Sequence, residues 1–114
     1  MSEFELLKAR WRREEAAMAA EVRRRRGALR RIPAVLRRFG VTKAFMFGST
    51  CRNRAGPRSD IDLYVEPSPG AAYWDLRRAL EQSVGYPIDL HDPSDDSTFV
   101  ARIKAHGECI YEAE

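Results

Sequence analysis

The sequence predicts an α/β domain, in which helices pack on a small mixed β-sheet of three or four strands, with a helical extension at the N-terminus. Two observations lead to this prediction. Short apolar runs bounded by glycine, proline or polar residues alternate with segments in which apolar residues recur every three or four positions. With 114 residues, 44% of them apolar, the chain can form one modest hydrophobic core.

The strands and helices are assigned from these two patterns in turn. The apolar runs predict strands at 41–47, Ile61–Glu66, 88–90 and 109–111. The helical periodicity predicts helices at 2–26, 33–39, 71–84 and 96–105. Asp92, Ser94 and Asp95 are candidate caps for the last helix. Strands that alternate with helices in this way favour a mixed sheet over an all-β arrangement.

The first helix is long for so small a protein. Ser2 and Glu5 form a capping box at its start, and Pro33 ends it or begins a second helix. Its apolar side chains lie on one stripe, which consists of Phe4, Leu7, Trp11, Met18 and Val22. We therefore divide the chain into an amphipathic basic helix at 1–31 and a globular domain at 32–114. The stripe is expected to pack on its own domain, on an acidic partner or on a second copy.

The net charge of +3 is unevenly distributed. Residues 1–40 carry twelve Lys or Arg against five Glu, which gives +7, whereas residues 41–114 carry eight against twelve, which gives −4. The arginines at 23–26, 30 and 31 could bind nucleic acid phosphates. The alternative, which we favour, is a solvated helix face whose arginines pair with acidic groups, because no aromatic residues are interleaved with them for base stacking.

Several classes of protein are disfavoured by composition. No apolar run approaches the ~18 residues of a membrane span, and the N-terminus lacks the apolar region of a signal peptide, so we expect a soluble cytoplasmic protein without membrane contact. Cys51 and Cys109 are too few for a disulfide framework or a zinc site.

The segment 44–66 carries the candidate chemistry. A predicted strand ends at Gly48 and Ser49, where a glycine would let the backbone approach a phosphate closely. The next apolar run opens with Asp60 and Asp62, whose side chains are expected to project from one face because they are two residues apart. Two carboxylates so close repel each other unless a cation lies between them, and Mg²⁺ prefers such oxygen ligands together with substrate phosphates.

A third carboxylate, Asp89, lies between the apolar residues of the strand 88–90. If that strand neighbours Ile61–Glu66, Asp89 joins Asp60 and Asp62. The alternative for Asp89 alone is a carboxylate on an exposed strand face. His91 lies on the same face, where it could line the site or could simply be a partly exposed residue at the strand end.

Together these residues resemble a known family signature. The pattern Gly48-Ser49-x-Cys51-Arg52-Asn53, followed by Ser59-Asp60-Ile61-Asp62-Leu63 and later Ile88-Asp89-Leu90, resembles that of the minimal nucleotidyltransferases (MNT family) of the DNA polymerase beta-like superfamily. Cys51 and Asn53 stand where the family pattern has Ala and Gly. The resemblance extends over residues 32–112.

The resemblance implies a function. It implies transfer of a nucleoside monophosphate, most readily AMP from ATP, to a hydroxyl of a partner protein, and the role of antitoxin to a HEPN-domain toxin. It also implies that Asp60, Asp62 and Asp89 are catalytic and hold two Mg²⁺ ions. Gly48, Ser49 and Arg52 are implied to bind the β- and γ-phosphates.

Two other functions stay open at this point. The chain could neutralise its toxin by complex formation alone, with an intact but unused site. It could also be a nucleotidyltransferase that acts on a small molecule or on RNA. We favour the protein acceptor, because a domain of this size has little room to hold an acceptor of its own.

Overall fold

The computed structural model describes residues 2–48 and 60–114. The chain begins with helix α1 (Glu3–Ala28), a 3₁₀ turn (Leu29–Arg31) and helix α2 (Ile32–Arg38). The Ser2 hydroxyl accepts a hydrogen bond from the backbone N–H of Glu5 at 3.2 Å, as the capping box predicts. Helix α2 ends before Gly40, whose φ of +75° is a conformation that favours glycine.

Four strands form one sheet in the part of the chain that the structure describes. They are β1 (Lys43–Phe47), β2 (Ile61–Glu66), β3 (Ile88–His91) and β4 (Glu108–Glu112), in the spatial order β3-β2-β1-β4. Strand β1 pairs antiparallel with β2 and β4, and β2 pairs parallel with β3. Helix α3 (Tyr73–Val84) makes the crossover between the parallel strands, and α4 (Ser97–His106) joins β3 to β4. The predicted α/β class with a mixed sheet is confirmed.

One face of the sheet forms the hydrophobic core. Alternate strand residues are buried there against α2 and α3: Ala44, Met46, Ile61, Leu63, Val65, Ile88 and Leu90. Helix α2 contributes Ile32 and Leu36, and α3 contributes Leu76 and Leu80. In β2 and β3, where apolar and polar residues alternate, Ile61, Leu63, Ile88 and Leu90 face inward, opposite to Asp62 and Asp89, as that alternation predicts.

The other face carries the remaining strand side chains. Phe45 packs on Tyr64 with ring centroids 6.2 Å apart, and Phe47 packs edge-on against Phe99 of α4 at 5.7 Å. Helix α4 therefore covers part of this face, while the Asp89 side chain at the same end of the sheet is 50% exposed. The polar strand residues, Asp62 and Asp89 among them, lie on this second face.

Helix α4 is capped differently from the prediction. It begins at Ser97, and the Asp96 side chain accepts from the backbone N–H groups of Thr98 and Phe99 at 3.0 and 3.1 Å. Asp92 and Asp95 instead stabilise the preceding loop, where Asp95 accepts from the Asp92 N–H at 2.9 Å. Several residues that can cap a helix lie close together in this segment. The cap is Asp96 because it directly precedes the first helical residue, Ser97.

Only the last two turns of α1 contact the domain. Its buried residues are Glu21, Val22, Arg25 and Ala28. The Arg25 guanidinium is inaccessible to solvent and lies 4.4 Å from the centroid of the Tyr86 ring, with Glu21 3.2 Å from its Nε. The rest of the apolar stripe is exposed, so within its own chain the stripe packs on the domain only at Val22.

The basic segment at the end of α1 is largely paired within its own chain. Arg24 contacts Glu21 at 2.6 Å, Arg26 contacts Glu108 at 3.1 Å, and Arg31 donates to the carbonyl of Ser83 at 3.4 Å. This pairing favours the solvated helix face over the nucleic acid surface. Among the described residues, no helix is both long and apolar enough to cross a membrane.

Candidate active site

The candidate site lies at one end of the sheet, where β1 ends and where β2 and β3 begin. Asp62 and Asp89 are register partners across the parallel β2–β3 pair, and Phe47 is the partner of Asp62 on the other side. The pairing of β2 with β3 therefore brings Asp62 and Asp89 side by side, as the sequence led us to expect. Asp60 is exposed and comes one residue before β2 begins.

Gly48 follows Phe47 at this end and lies against Asp62. Its φ is +76°, and a Cβ added there would overlap the Asp62 carboxylate, in particular Oδ2. A side chain at this position would therefore displace the carboxylate as well as strain the backbone. Ser49 and Arg52, the other two candidate phosphate ligands, lie outside the described residues, as do Cys51, Asn53 and Ser59.

The electrostatics of Asp62 reflect this crowding. Its pKa is raised to about 6, first by burial and then by the negative charge of Asp89 and a hydrogen bond with it. Asp60 raises the pKa further, and His91 opposes these effects. The ionised form of Asp62 is thus destabilised by its neighbours, and a cation beside the two carboxylates would remove that penalty.

His91 is held beside Asp89 by contacts on several sides. Its Nε2 lies 3.2 Å from Asp89 Oδ2, and its Nδ1 lies 3.5 Å from Asp95 Oδ1. Its ring packs edge-on against Phe47 and Phe99, with centroid distances of 5.4 and 5.2 Å. The side chain is only 20% exposed. His91 therefore lines the site, which was the alternative that the sequence analysis had left open.

His91 and Asp95 are the functional candidates that sequence reasoning underrated. The signal for His91 was its position two residues after Asp89 on the same strand face. For Asp95 the sequence gave no such signal, because the loop that turns it toward His91 is defined by the Asp92 backbone contacts.

A cavity of about 300 Å³ adjoins the site on the side of α4 and β4. Phe47, Gly48 and Phe99 form one part of its wall, and Arg102 and His106 form another. A larger hollow of about 690 Å³ lies near the opposite end of β3, beside Trp74 and Asp92. The smaller cavity includes Gly48, and the larger one is lined in part by Asp95, which contacts His91.

The carboxylates of the site are suitable ligands for a Mg²⁺ ion that is also bound by a substrate. Within residues 2–48 and 60–114, no three His, Cys, Asp or Glu side chains form a preformed metal cluster. Mg²⁺, however, commonly binds one or two carboxylates and completes its shell with water and substrate phosphates. The adjacent carboxylates of Asp62 and Asp89, one with a raised pKa, fit that mode of binding.

Comparison with known proteins decides the family. The model of the family described as "Polymerase beta, Nucleotidyltransferase" matches residues 31–114. This chain belongs to that family. The resemblance found in the sequence is thus confirmed, and the protein is a nucleotidyltransferase.

One curated relative supports this assignment. The chain is 39% identical over 64 residues to "Putative protein adenylyltransferase MJ0435" of Methanocaldococcus jannaschii. The aligned part is 54% of this chain and 69% of the relative.

Solved structures share the nucleotidyltransferase fold. A chain of a toxin–antitoxin complex with AMP-PNP superposes with a TM-score of 0.63 at 23% identity, over 75% of this chain and 74% of that one. A chain of the tri-AMPylated Shewanella oneidensis HEPN toxin in complex with MNT antitoxin gives 0.56 at 21% identity, over 78% and 73%. A chain of an MntA–HepT complex gives 0.57 at 21% identity, over 77% and 73%.

Proposed function

We propose that this nucleotidyltransferase transfers AMP from ATP, with Mg²⁺, to a hydroxyl of a partner protein, and that the partner is a HEPN-domain toxin that it neutralises. The observation that carries the proposal is the adjacency of Asp62 and Asp89 next to Gly48 at the same end of the sheet. Residues 32–114 would be the catalytic domain, and residues 1–31 would be a helical extension of it.

The carboxylates and the glycine have separate roles in this proposal. Asp60 and Asp62 would hold the metal on the triphosphate, and Asp89 would be the ligand on the acceptor side. Gly48, Ser49 and Arg52 would bind the β- and γ-phosphates, with Gly48 allowing close approach because it has no side chain. When bound, a pair of Mg²⁺ ions would neutralise triphosphate charge and lower the pKa of the attacking hydroxyl.

The transfer step follows from these roles. The acceptor oxygen forms a bond to the α-phosphorus of ATP, and the bond from that phosphorus to the bridging oxygen breaks in line with it. Pyrophosphate leaves, and Asp89 takes the hydroxyl proton. His91 lies 3.2 Å from Asp89 Oδ2 and would fix the orientation in which that carboxylate meets the acceptor.

The relatives support a protein acceptor. The curated relative is named as a protein adenylyltransferase, and the similar solved structures include a toxin–antitoxin complex with AMP-PNP and a HEPN toxin that carries AMP groups. We extend both features to this chain, so that a toxin hydroxyl would accept the AMP.

The test uses the purified protein, a HEPN-domain toxin as the proposed partner, ATP and Mg²⁺. Mass spectrometry of the toxin should show additions of one AMP moiety for each modified hydroxyl. Asp62→Asn should reduce the transfer rate by about 100-fold or more, because the metal on the triphosphate loses a ligand. Asp75→Asn, an equal change at an exposed carboxylate on α3, is the matched control and should transfer normally.

The outcome also separates enzymatic from binding-only neutralisation. A toxin that is inhibited while its mass stays unchanged would show that complex formation suffices, and the transferase proposal would be wrong. A chain that labels RNA or a small hydroxyl compound but not the toxin would contradict the protein acceptor.

A further inference from the structure

The cavity of about 300 Å³ beside Gly48 continues the candidate site across the sheet. Its described lining consists of Phe47, Gly48, Phe99, Arg102, Ile103, His106 and Gly107. The strand order places Asp89 on β3, then Asp62 on β2, then Gly48 at the end of β1, and β4 last. Neighbouring strands are about 4.8 Å apart. Because the cavity lies at β1 and at the approach to β4, it is on the side of Asp62 that is away from Asp89.

Helix α4 forms one wall of this cavity with a single face. Residues of α4 that line the cavity recur at intervals of three, four and seven, and so share that face: Phe99, Arg102, Ile103 and His106. Phe99 packs against Phe47 and His91, with ring centroids 5.7 and 5.2 Å apart. At the other end of the helix, a Cβ added to Gly107 would lie 3.0 Å from the carbonyl oxygen of Met46. Both ends of this helix face are therefore held against β1.

Arg102 brings to this cavity a positive charge that no described acid of the chain neutralises. Lys104, two residues later, contacts Glu66 at 3.0 Å, whereas Arg102 makes no ion pair or hydrogen bond with the described residues. A cation near the C-terminus of a helix is favourable for the helix itself, but Lys104 in the last turn already provides that effect. A guanidinium also presents N–H donors in a fixed plane that matches phosphate oxygens. Arg102 is thus available to an anionic ligand.

The proposed transfer step specifies which anion would come here. The attacking oxygen and the leaving oxygen lie roughly in line through the phosphorus that is transferred. With the acceptor at Asp89 and the metal of the triphosphate at Asp62, the leaving pyrophosphate points toward Gly48 and the cavity beyond it. An uncharged nucleobase in this cavity would leave the charge of Arg102 without a partner.

The size and the walls of the cavity suit a phosphate group. Its volume is about ten times the share of one water molecule in the liquid, which is enough for a phosphate with part of its hydration shell. The apolar walls formed by Phe47, Phe99 and Ile103 reduce the local dielectric constant. The attraction between a guanidinium and a phosphate is therefore stronger there than in bulk water.

We infer that Arg102 binds the γ-phosphate of ATP and then the leaving pyrophosphate, a role that rests on the proposed AMP transfer. Arg102 neutralises the charge that collects on the pyrophosphate as its bond to the α-phosphorus breaks. Because a diphosphate does not reach the cavity with a γ-phosphate, Arg102 also makes the site selective for ATP over ADP.

The test measures the equilibrium binding of ATP, ADP and AMP to the full-length chain with Mg²⁺ by isothermal titration calorimetry. The wild type should bind ATP more tightly than ADP. Arg102→Gln should weaken ATP binding by about 10- to 100-fold, the usual effect of losing charge-assisted hydrogen bonds, and leave AMP binding unchanged. Arg102→Lys keeps the charge without the planar donors and should give an intermediate affinity.

Arg78→Gln is the matched control for these variants. Arg78 is exposed on α3, which packs on the opposite face of the sheet, so the control should bind ATP like the wild type. Without nucleotide, the Tm of Arg102→Gln should differ from the wild-type Tm by no more than about 3 °C, as is typical of exposed substitutions. A larger fall in Tm together with weaker ATP binding would assign Arg102 to the stability of α4 and overturn the inferred role.

Two further results would also overturn it. One is a wild-type affinity for ATP in Arg102→Gln. The other is an equal loss of affinity for ATP, ADP and AMP, which would place the nucleoside, and not the terminal phosphate, in the cavity.

Binding and transfer are measured separately, so the two proposals can fail separately. An Arg102-dependent preference for ATP in a chain that transfers no AMP to the toxin would contradict the proposed function and support phosphate binding by Arg102. AMP transfer by a chain whose Arg102→Gln variant keeps its affinity for ATP would overturn only the role of Arg102.

Discussion

At the scale of single residues, Asp62 is the most strongly perturbed group of the candidate site. Its pKa of about 6 lies above the ordinary value of 3.8, so the folded protein binds more protons than the unfolded chain between these pH values. Its contribution to stability is therefore fully present below about pH 4 and is lost as the pH rises to about 6. Because Asp62 is only half-buried, solvent screening reduces this contribution to about 1 kcal/mol.

Replacing Asp62 with Asn should therefore stabilise the metal-free protein near neutral pH. The expected rise in Tm is a few degrees at pH 7 and vanishes at pH 4, because the wild-type carboxyl is then protonated as well. Thermal unfolding of both proteins across this pH range measures it, with Glu114→Gln at the exposed C-terminus as control. A Tm that falls at pH 7 would show that the Asp62 carboxylate is stabilising in the absence of metal.

His91 allows a second prediction at the same scale. His91→Phe keeps an aromatic ring between Phe47 and Phe99 but removes the nitrogen atoms that contact Asp89 and Asp95. If His91 orients Asp89, kcat for AMP transfer should fall by about 10- to 100-fold, as for other residues that orient a metal ligand. The KM for ATP should change little.

The measurement for His91 is steady-state kinetics together with the Tm of the variant. His91→Leu, which loses the ring as well, separates packing from orientation because it should lower the Tm further. A His91→Phe variant with wild-type kcat would mean that the imidazole only fills space beside Asp89.

At the scale of elements, α1 divides into a segment without buried residues, 3–20, and an anchored end, 21–28. The anchored end contributes Val22 and the buried Arg25, whose guanidinium lies on Tyr86. Deleting residues 1–20 should leave the Tm of the domain nearly unchanged, since residues 3–20 include no buried residue. Deleting residues 1–26 also removes Glu21, Val22 and Arg25, and it should lower the Tm by about 10 °C, which corresponds to roughly 2 kcal/mol.

Thermal unfolding of the two truncated proteins tests this division directly. Equal melting temperatures would show that the anchored end contributes little and that the domain is self-sufficient from residue 27. A large decrease in Tm on removing only residues 1–20 would show that this segment is part of the folded unit.

At the scale of the whole molecule, the candidate site is formed by strands that are far apart in sequence. If Mg²⁺ and ATP bind there, they should raise the Tm through linkage, by an amount equivalent to about 2.7 kcal/mol at a ligand concentration 100 times Kd. The double variant D60A/D62A should lose this shift without a lower Tm in the absence of ligand. A double variant that is stabilised like the wild type would mean that the nucleotide binds elsewhere.

Much of this architecture followed from the sequence. The alternation of apolar and polar residues identified the inward faces of β2 and β3, since a strand with one buried face has period two, whereas β1 is apolar on both faces and its pattern does not distinguish them. The strand bounds at Ile61–Glu66 were obtained in full because Asp60 and Pro67 interrupt the apolar run on both sides. The Asp62 and Asp89 candidates came from the same local patterns, together with the family resemblance that the comparison confirmed.

Tertiary structure alone decided how these residues meet. That β2 and β3 are neighbours, so that Asp62 pairs with Asp89, depends on strand pairing across the crossover helix, which no local pattern specifies. The contact of His91 with Asp95 likewise depends on tertiary packing. So does the point along α1, at Glu21, from which the helix is buried against the domain. The local sequence determined which side chains share a face of a strand or helix, because backbone geometry fixes the period of each element at two or about 3.6 residues. Only the folded chain determined which of them became neighbours, because proximity arises from the burial of one common core.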